Sequence, residues 1–129
     1  MDEKLAALVA QFEKAHSRLL EVLALEKTEI VRDSAVLRFE LTLELCWKVM
    51  RAFAAGQEIE TRSPREALQQ AYRFGFIDDA EQFIAMLGQR NVAVHTDNEE
   101  FADGLYQRLP NWARLLGEAI ARVGNYFTK

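Results

Sequence analysis

An all-α chain is what this sequence predicts: an up-and-down antiparallel four-helix bundle with one short extra helix, formed as a single domain over residues 1–129. Three observations lead there. Apolar residues return every three or four positions through long segments, the period of a helix with one buried face. Only 6 glycines and 2 prolines occur in 129 residues, too little turn chemistry for a many-stranded β protein. Segment boundaries carry helix-capping residues. Half the chain is hydrophobic and 28% is charged, which suits a folded domain able to bury a core.

The first helix is expected from about Asp2 to Leu25, with Leu5, Leu8, Phe12, Leu19 and Leu23 on its apolar stripe. His16 lies one turn beyond Phe12 and reads as a packed or half-exposed bundle histidine, because no second His or Cys stands at ligand spacing. The second helix, about Glu29 to Ala54, is apolar round most of its circumference: Val31, Ala35, Phe39, Leu43, Cys46, Trp47, Met50 and Phe53. Such a helix is normally the central one, and its surplus of apolar surface predicts a homodimer that buries part of it. Cys46 and Trp47 are expected in the core. The polar stripe holds Asp33, Glu40, Glu44, Lys48 and Arg51. Glu44 and Lys48 pair favourably at i,i+4, whereas Glu40 and Glu44 are like charges at that spacing. The stripe is either a solvated face or a carboxylate pair meeting a cation, such as Arg38 or a group on a second subunit.

Gly56 to Thr61 is a break. Ser63, Pro64 and Glu66 then form a capping box with proline at the first helical position. The short helix they open should end near Phe74, with Gly75 in the left-handed conformation. Asp78-Asp79-Ala80-Glu81 starts a fourth helix, expected to reach about His95. Thr96-Asp97-Asn98-Glu99 caps a fifth, in which Leu105, Leu109, Trp112, Leu116, Ala119 and Val123 keep one phase through Pro110. One kinked helix is expected there, stopping at Gly124-Asn125.

Composition narrows the function classes. The single cysteine rules out an internal disulfide and points to a reducing, cytoplasmic setting. No apolar run approaches the roughly 20 residues of a membrane span, and no signal-peptide h-region follows the charged N-terminus. A net charge of -4 and a pI near 5.2 speak against broad, charge-driven nucleic-acid binding but leave room for a local cationic site. No phosphate-cradling glycine loop, metal-ligand set or Ser-His-Asp arrangement is visible, so no cofactor and no metal are expected.

The chemically suggestive stretch is Arg90-Asn91-Val92-Ala93-Val94-His95. Asn91 and His95 are one turn apart on a helix, and Arg90 lies about 100° round from Asn91 with a side chain long enough to reach the same cleft. The C-terminal end of a helix favours imidazolium, and the next helix start offers N–H groups. Such a corner suits a phosphodiester, Arg90 holding the phosphate and His95 moving a proton at a 2′-hydroxyl or a leaving oxygen. Helix-dipole complementarity alone also places Arg and His at a helix end.

These residues, with others, carry a resemblance. Arg32-Asp33-Ser34-Ala35, the run Arg38-Phe39-Glu40-Leu41-Thr42-Leu43-Glu44-Leu45-Cys46-Trp47-Lys48, Ser63-Pro64-Arg65, Met86-Leu87 with Arg90-Asn91, and His95-Thr96 followed by Asn98-Glu99 resemble the small helical nucleotidyltransferase substrate-binding proteins, a branch of the HEPN superfamily. The likeness runs from about Ile30 to Val123. It implies a dimeric bundle encoded beside a minimal nucleotidyltransferase, in one of two roles. One is a metal-independent RNase toxin of a toxin–antitoxin pair, with Arg90, Asn91 and His95 lining a cleft shared by two subunits. The other is a non-catalytic subunit that binds a nucleotide or other substrate for the transferase. Arg38, Glu40, Glu44, Lys48 and Asp97 would line the cleft or bind in either role, and a third possibility is a bundle that only assembles. Three positions depart from the family pattern: Asp97 stands where a modifiable Tyr is common, Phe83 where a Trp is usual, and Gly88 where a Glu is common. Asp97 would exclude adenylylation at that site, and Gly88 would loosen the turn before Arg90 by about 0.5–1 kcal/mol relative to Ala.

Overall fold

The computed structural model describes residues 1–89 and 97–128. Its elements are α1 (Glu3–Leu23), α2 (Glu29–Gly56), α3 (Pro64–Arg73), α4 (Ala80–Leu87) and α5 (Glu99–Phe127), with no strand among the described residues. Each start is set by a side chain that accepts a backbone N–H one turn on: Asp2 for Leu5, Thr28 for Val31, Ser63 for Glu66, Asp79 for Gln82 and Asn98 for Phe101. Gly75, with φ of 81°, closes α3 as its spacing predicts, and Phe76 N–H returns to the Ala71 carbonyl at 2.9 Å.

The central position of α2 follows from its composition. It packs against α1, α3 and α5, burying Phe39, Leu43, Cys46, Met50 and Phe53. Phe39 stacks on Trp112 of α5 at 5.4 Å between ring centroids. Burial pushes the Cys46 thiol far up, so it behaves as a small core hydrophobe. His16 is half-buried, and its Nε2–H donates to the Ala113 carbonyl at 2.7 Å, tying α1 to α5.

Three expectations change. Trp47 is half-buried, packed on the edge of the core, because its position on α2 turns toward the protein surface while Phe39 and Leu43 point inward. The last helix passes through Pro110 unbroken, but it runs on past Gly124-Asn125 to Phe127, where Tyr126 and Phe127 pack edge-on against Phe53. The fourth helix ends at Leu87, and the part of the expected course from Arg90 to His95 lies outside the described residues. Gly88 takes the cap, and bonds from Gly88 N–H to Ala85 and from Gln89 N–H to Met86 tighten the chain out of the α-helical path. Both α3 and α4 are therefore short beside the three long helices.

Candidate functional site

The segment with the chemically suggestive residues is framed by α4 and α5, and both are anchored. Trp112 Nε1–H donates to Gln82 Oε1 at 2.9 Å, and Arg122 meets Asp78 at 3.0 Å, fixing the start of α4 against α5. At the other end of the frame, α2 and α5 begin side by side. Arg32, only 4% exposed, pairs with Asp33 at 3.0 Å and with Asp103 at 3.2 Å, and Lys27 reaches Asp103 at 2.9 Å. These cations, Lys27 first, hold the Asp103 carboxyl below its ordinary range. Glu99 and Glu29 open their two helices within hydrogen-bond reach of each other, which raises the Glu99 carboxyl.

Arg90, Asn91 and His95 lie outside the described residues, and so does the helix end they were expected to share. Asp97 is exposed, directly before the Asn98 cap. Gln89, directly before the segment, and Asn98, the cap of α5, line a cavity of about 420 Å³ on the face of α5. Arg108 stands between this cavity and a neighbour of about 400 Å³ bounded by Gln82, Asn111 and Trp112, with its guanidinium 6.0 Å from the Trp112 ring centre. Sequence reading missed Arg108. Its one signal was its place one turn before Trp112, on an element whose partner helix could not be read from spacing.

The residues singled out on α2 lie on a different side, over α1. Arg38 is half-buried, with its Nε–H 3.3 Å from Ser34 Oγ, and lines a cavity of about 240 Å³. Glu40 is half-buried, and Glu44 is exposed and paired with Lys48 at 3.4 Å. Lys48 lies 5.9 Å from the Trp47 ring centre and lines a second cavity, of about 470 Å³. Among the described residues no cluster of His, Cys, Asp and Glu is built to hold a metal ion. No helix among them is long and apolar enough to cross a membrane.

Residues 8–123 match the family described as nucleotidyltransferase substrate binding protein like. The chain belongs to this family. A curated relative, the probable ribonuclease HepT of Haemophilus influenzae, is 29% identical over 92 residues. That match spans 64% of this chain and 63% of the relative, so somewhat under two thirds of the relative's length is covered. A crystal structure of a Thermus thermophilus protein is similar at 35% identity, with a TM-score of 0.79 over 86% of this chain and 97% of that one. The MntA–HpeT toxin–antitoxin structure gives a TM-score of 0.80 at 18% identity, covering 96% of this chain and 99% of that one. A tri-AMPylated Shewanella oneidensis HEPN toxin in complex with its MNT antitoxin gives 0.66 at 18%, over 94% of this chain and 99% of that one. At those two identities the likeness is one of fold.

Proposed function

We propose that this member of the family is the HEPN-type partner of a minimal nucleotidyltransferase, and that it is a cytoplasmic, metal-independent RNase acting as the toxin of the pair. The likeness to probable ribonuclease HepT carries the reading. The described frame supports it: α4 and α5 are anchored to each other, and the chain between them carries Arg90, Asn91 and His95. In this reading Arg90 grips a phosphate with a planar, two-pronged donor and Asn91 orients it. His95 takes the proton of a 2′-hydroxyl as that oxygen attacks phosphorus, or returns one to the departing 5′-oxygen as its bond breaks. The chain also works as a homodimer, which the exposure of Ile30 (82%) and Leu37 (51%) on one face of α2 supports.

The test is RNA cleavage by the purified chain, expressed with and without its transferase. His95→Ala should abolish cutting and leave the helical signal intact, because proton transfer has no alanine substitute. Arg90→Lys should lose at least about tenfold, since a point charge does not reproduce a bidentate grip. Chelator should change nothing. If the wild type cuts no RNA in either preparation yet binds the transferase, the non-catalytic nucleotide- or substrate-binding role replaces this one.

A further inference from the structure

This acidic chain gathers cations along one side of its α1–α2 pair. On the outer side of the α1–α2 pair the two cavities described above lie one after the other along the helices. The first is lined by Lys14, Arg18 and Arg38, and the second by Lys4, Lys48 and Arg51. These are six of the 16 lysines and arginines in a chain of net charge -4, and among the described residues no carboxylate lines either cavity. On the α2 side, Glu44 is tied to Lys48 at 3.4 Å. The floor is apolar, from Leu8, Ala15, Leu41 and Ala52, and Trp47 forms part of the wall. The indole Nε1–H of Trp47 is buried without a hydrogen-bond partner among the described residues.

From Lys4 to Arg18 the groove spans roughly 21 Å at 1.5 Å per residue, with cations recurring along both helices. A regularly charged polyanion with flat apolar faces complements that pattern: phosphates for the ammonium and guanidinium groups, bases for the floor and the indole. A second copy of this chain is the poorer fit, because self-association through the groove would set like charges against each other. We propose that the α1–α2 groove is a track for single-stranded RNA, distinct from the cavity on α5 that Gln89 and Asn98 line. It needs no cleavage chemistry, so a chain that binds without cutting would still use it.

The experiment is fluorescence anisotropy of a labelled 12-nucleotide uridine RNA with the full chain carrying His95→Ala, titrated across a salt series. Lys48→Gln with Arg51→Gln should weaken binding about tenfold or more at low salt. The slope of log affinity against log salt should become shallower by about 1.4, at roughly 0.7 for each phosphate no longer neutralised. Lys48→Arg with Arg51→Lys keeps the charges and should keep the slope. Arg114→Gln, an exposed cation of α5 paired with Glu118, should change neither quantity. In a Trp112→Phe background the remaining Trp47 emission should be quenched by RNA. An unchanged slope in the double glutamine variant, or an equal loss from Arg114→Gln, overturns the proposal. So does uridine monophosphate competing as well as the 12-mer, which would mark a mononucleotide pocket. Loss of binding to an acidic protein partner with RNA affinity intact would assign the groove to that partner instead.

Discussion

Glu29 and Glu99 each occupy the first turn of a helix, where a carboxylate complements the helix dipole, yet the fold brings the two together. The hydrogen bond and like charge of Glu29 raise the Glu99 carboxyl above its ordinary value. A folded-state pKa above the unfolded one makes the ionised form a cost, present at neutral pH and relieved as pH falls through the raised value. Asp103 has the opposite sign. Lys27 and Arg32 hold it low, so its contribution is complete above the ordinary carboxylate range and disappears as pH falls through the lowered pKa. Thermal melts should therefore find Glu99→Gln more stable than wild type at about pH 7 and indistinguishable from it at about pH 3, while Asp103→Asn is less stable at neutral pH. A Glu99→Gln chain that melts lower at neutral pH would contradict this account. Little of the cluster was legible beforehand. Arg32-Asp33 is adjacent in sequence, but the bond from Arg32 to Asp103 spans 71 positions and depends on α2 and α5 starting together. Trp47 and Trp112 behave alike in this respect. Both stand in helical periods, and only packing buries Trp112 at 3% exposure while leaving Trp47 on the edge.

Helix boundaries were legible wherever a cap is made by local chemistry. Ser63-Pro64-Glu66 starts α3, and Gly75 ends it in the left-handed region that its spacing required. At the end of α2 the sequence offers Gly56, but Gly56 stays helical and Glu58 takes the left-handed conformation at φ of 63°. Ile59 N–H then reaches back to the Ala54 carbonyl at 2.9 Å, the same closure that follows Gly75. A residue with a Cβ carries about 1–2 kcal/mol of strain in that region. Gly75→Ala should accordingly cost about 1 kcal/mol in urea unfolding, although no described atom lies within 4 Å of the added carbon. Glu58→Gly should gain up to about 1 kcal/mol by the same measurement, and a loss there would mean that side-chain contacts hold Glu58 in its conformation. The end of α4 was the boundary least available to sequence reasoning. The period continues past Leu87, and a single Gly88, at about 1 kcal/mol against Ala, decides the outcome only in combination with the tightened last turn.

At the scale of the whole molecule, helix number and order follow from local patterns, since each apolar stripe is a property of one segment. Surfaces shared by two helices do not, because they depend on the register of one helix against another. Net charge shows this best: -4 overall argued against broad, charge-driven nucleic-acid binding and left only a local cationic site open, while antiparallel packing of α1 on α2 gathers six cations along one side. The same packing leaves Ile30 and Leu37 exposed on α2, and neither lines that groove. The two residues are seven positions apart and so lie on one face, a spacing suited to a partner helix related by a two-fold axis. Analytical ultracentrifugation at micromolar concentration should give twice the 14.8 kDa chain mass for the wild type. Ile30→Asp with Leu37→Asp should sediment at the single-chain mass and keep its helical signal, because exposed positions change chain stability by only about 0.5 kcal/mol each. RNA affinity of that variant should persist if the groove binds as one chain, and cleavage should fall if the cleft at Arg90 and His95 needs two. A wild-type chain that sediments as a monomer would remove the dimer, and with it the shared cleft.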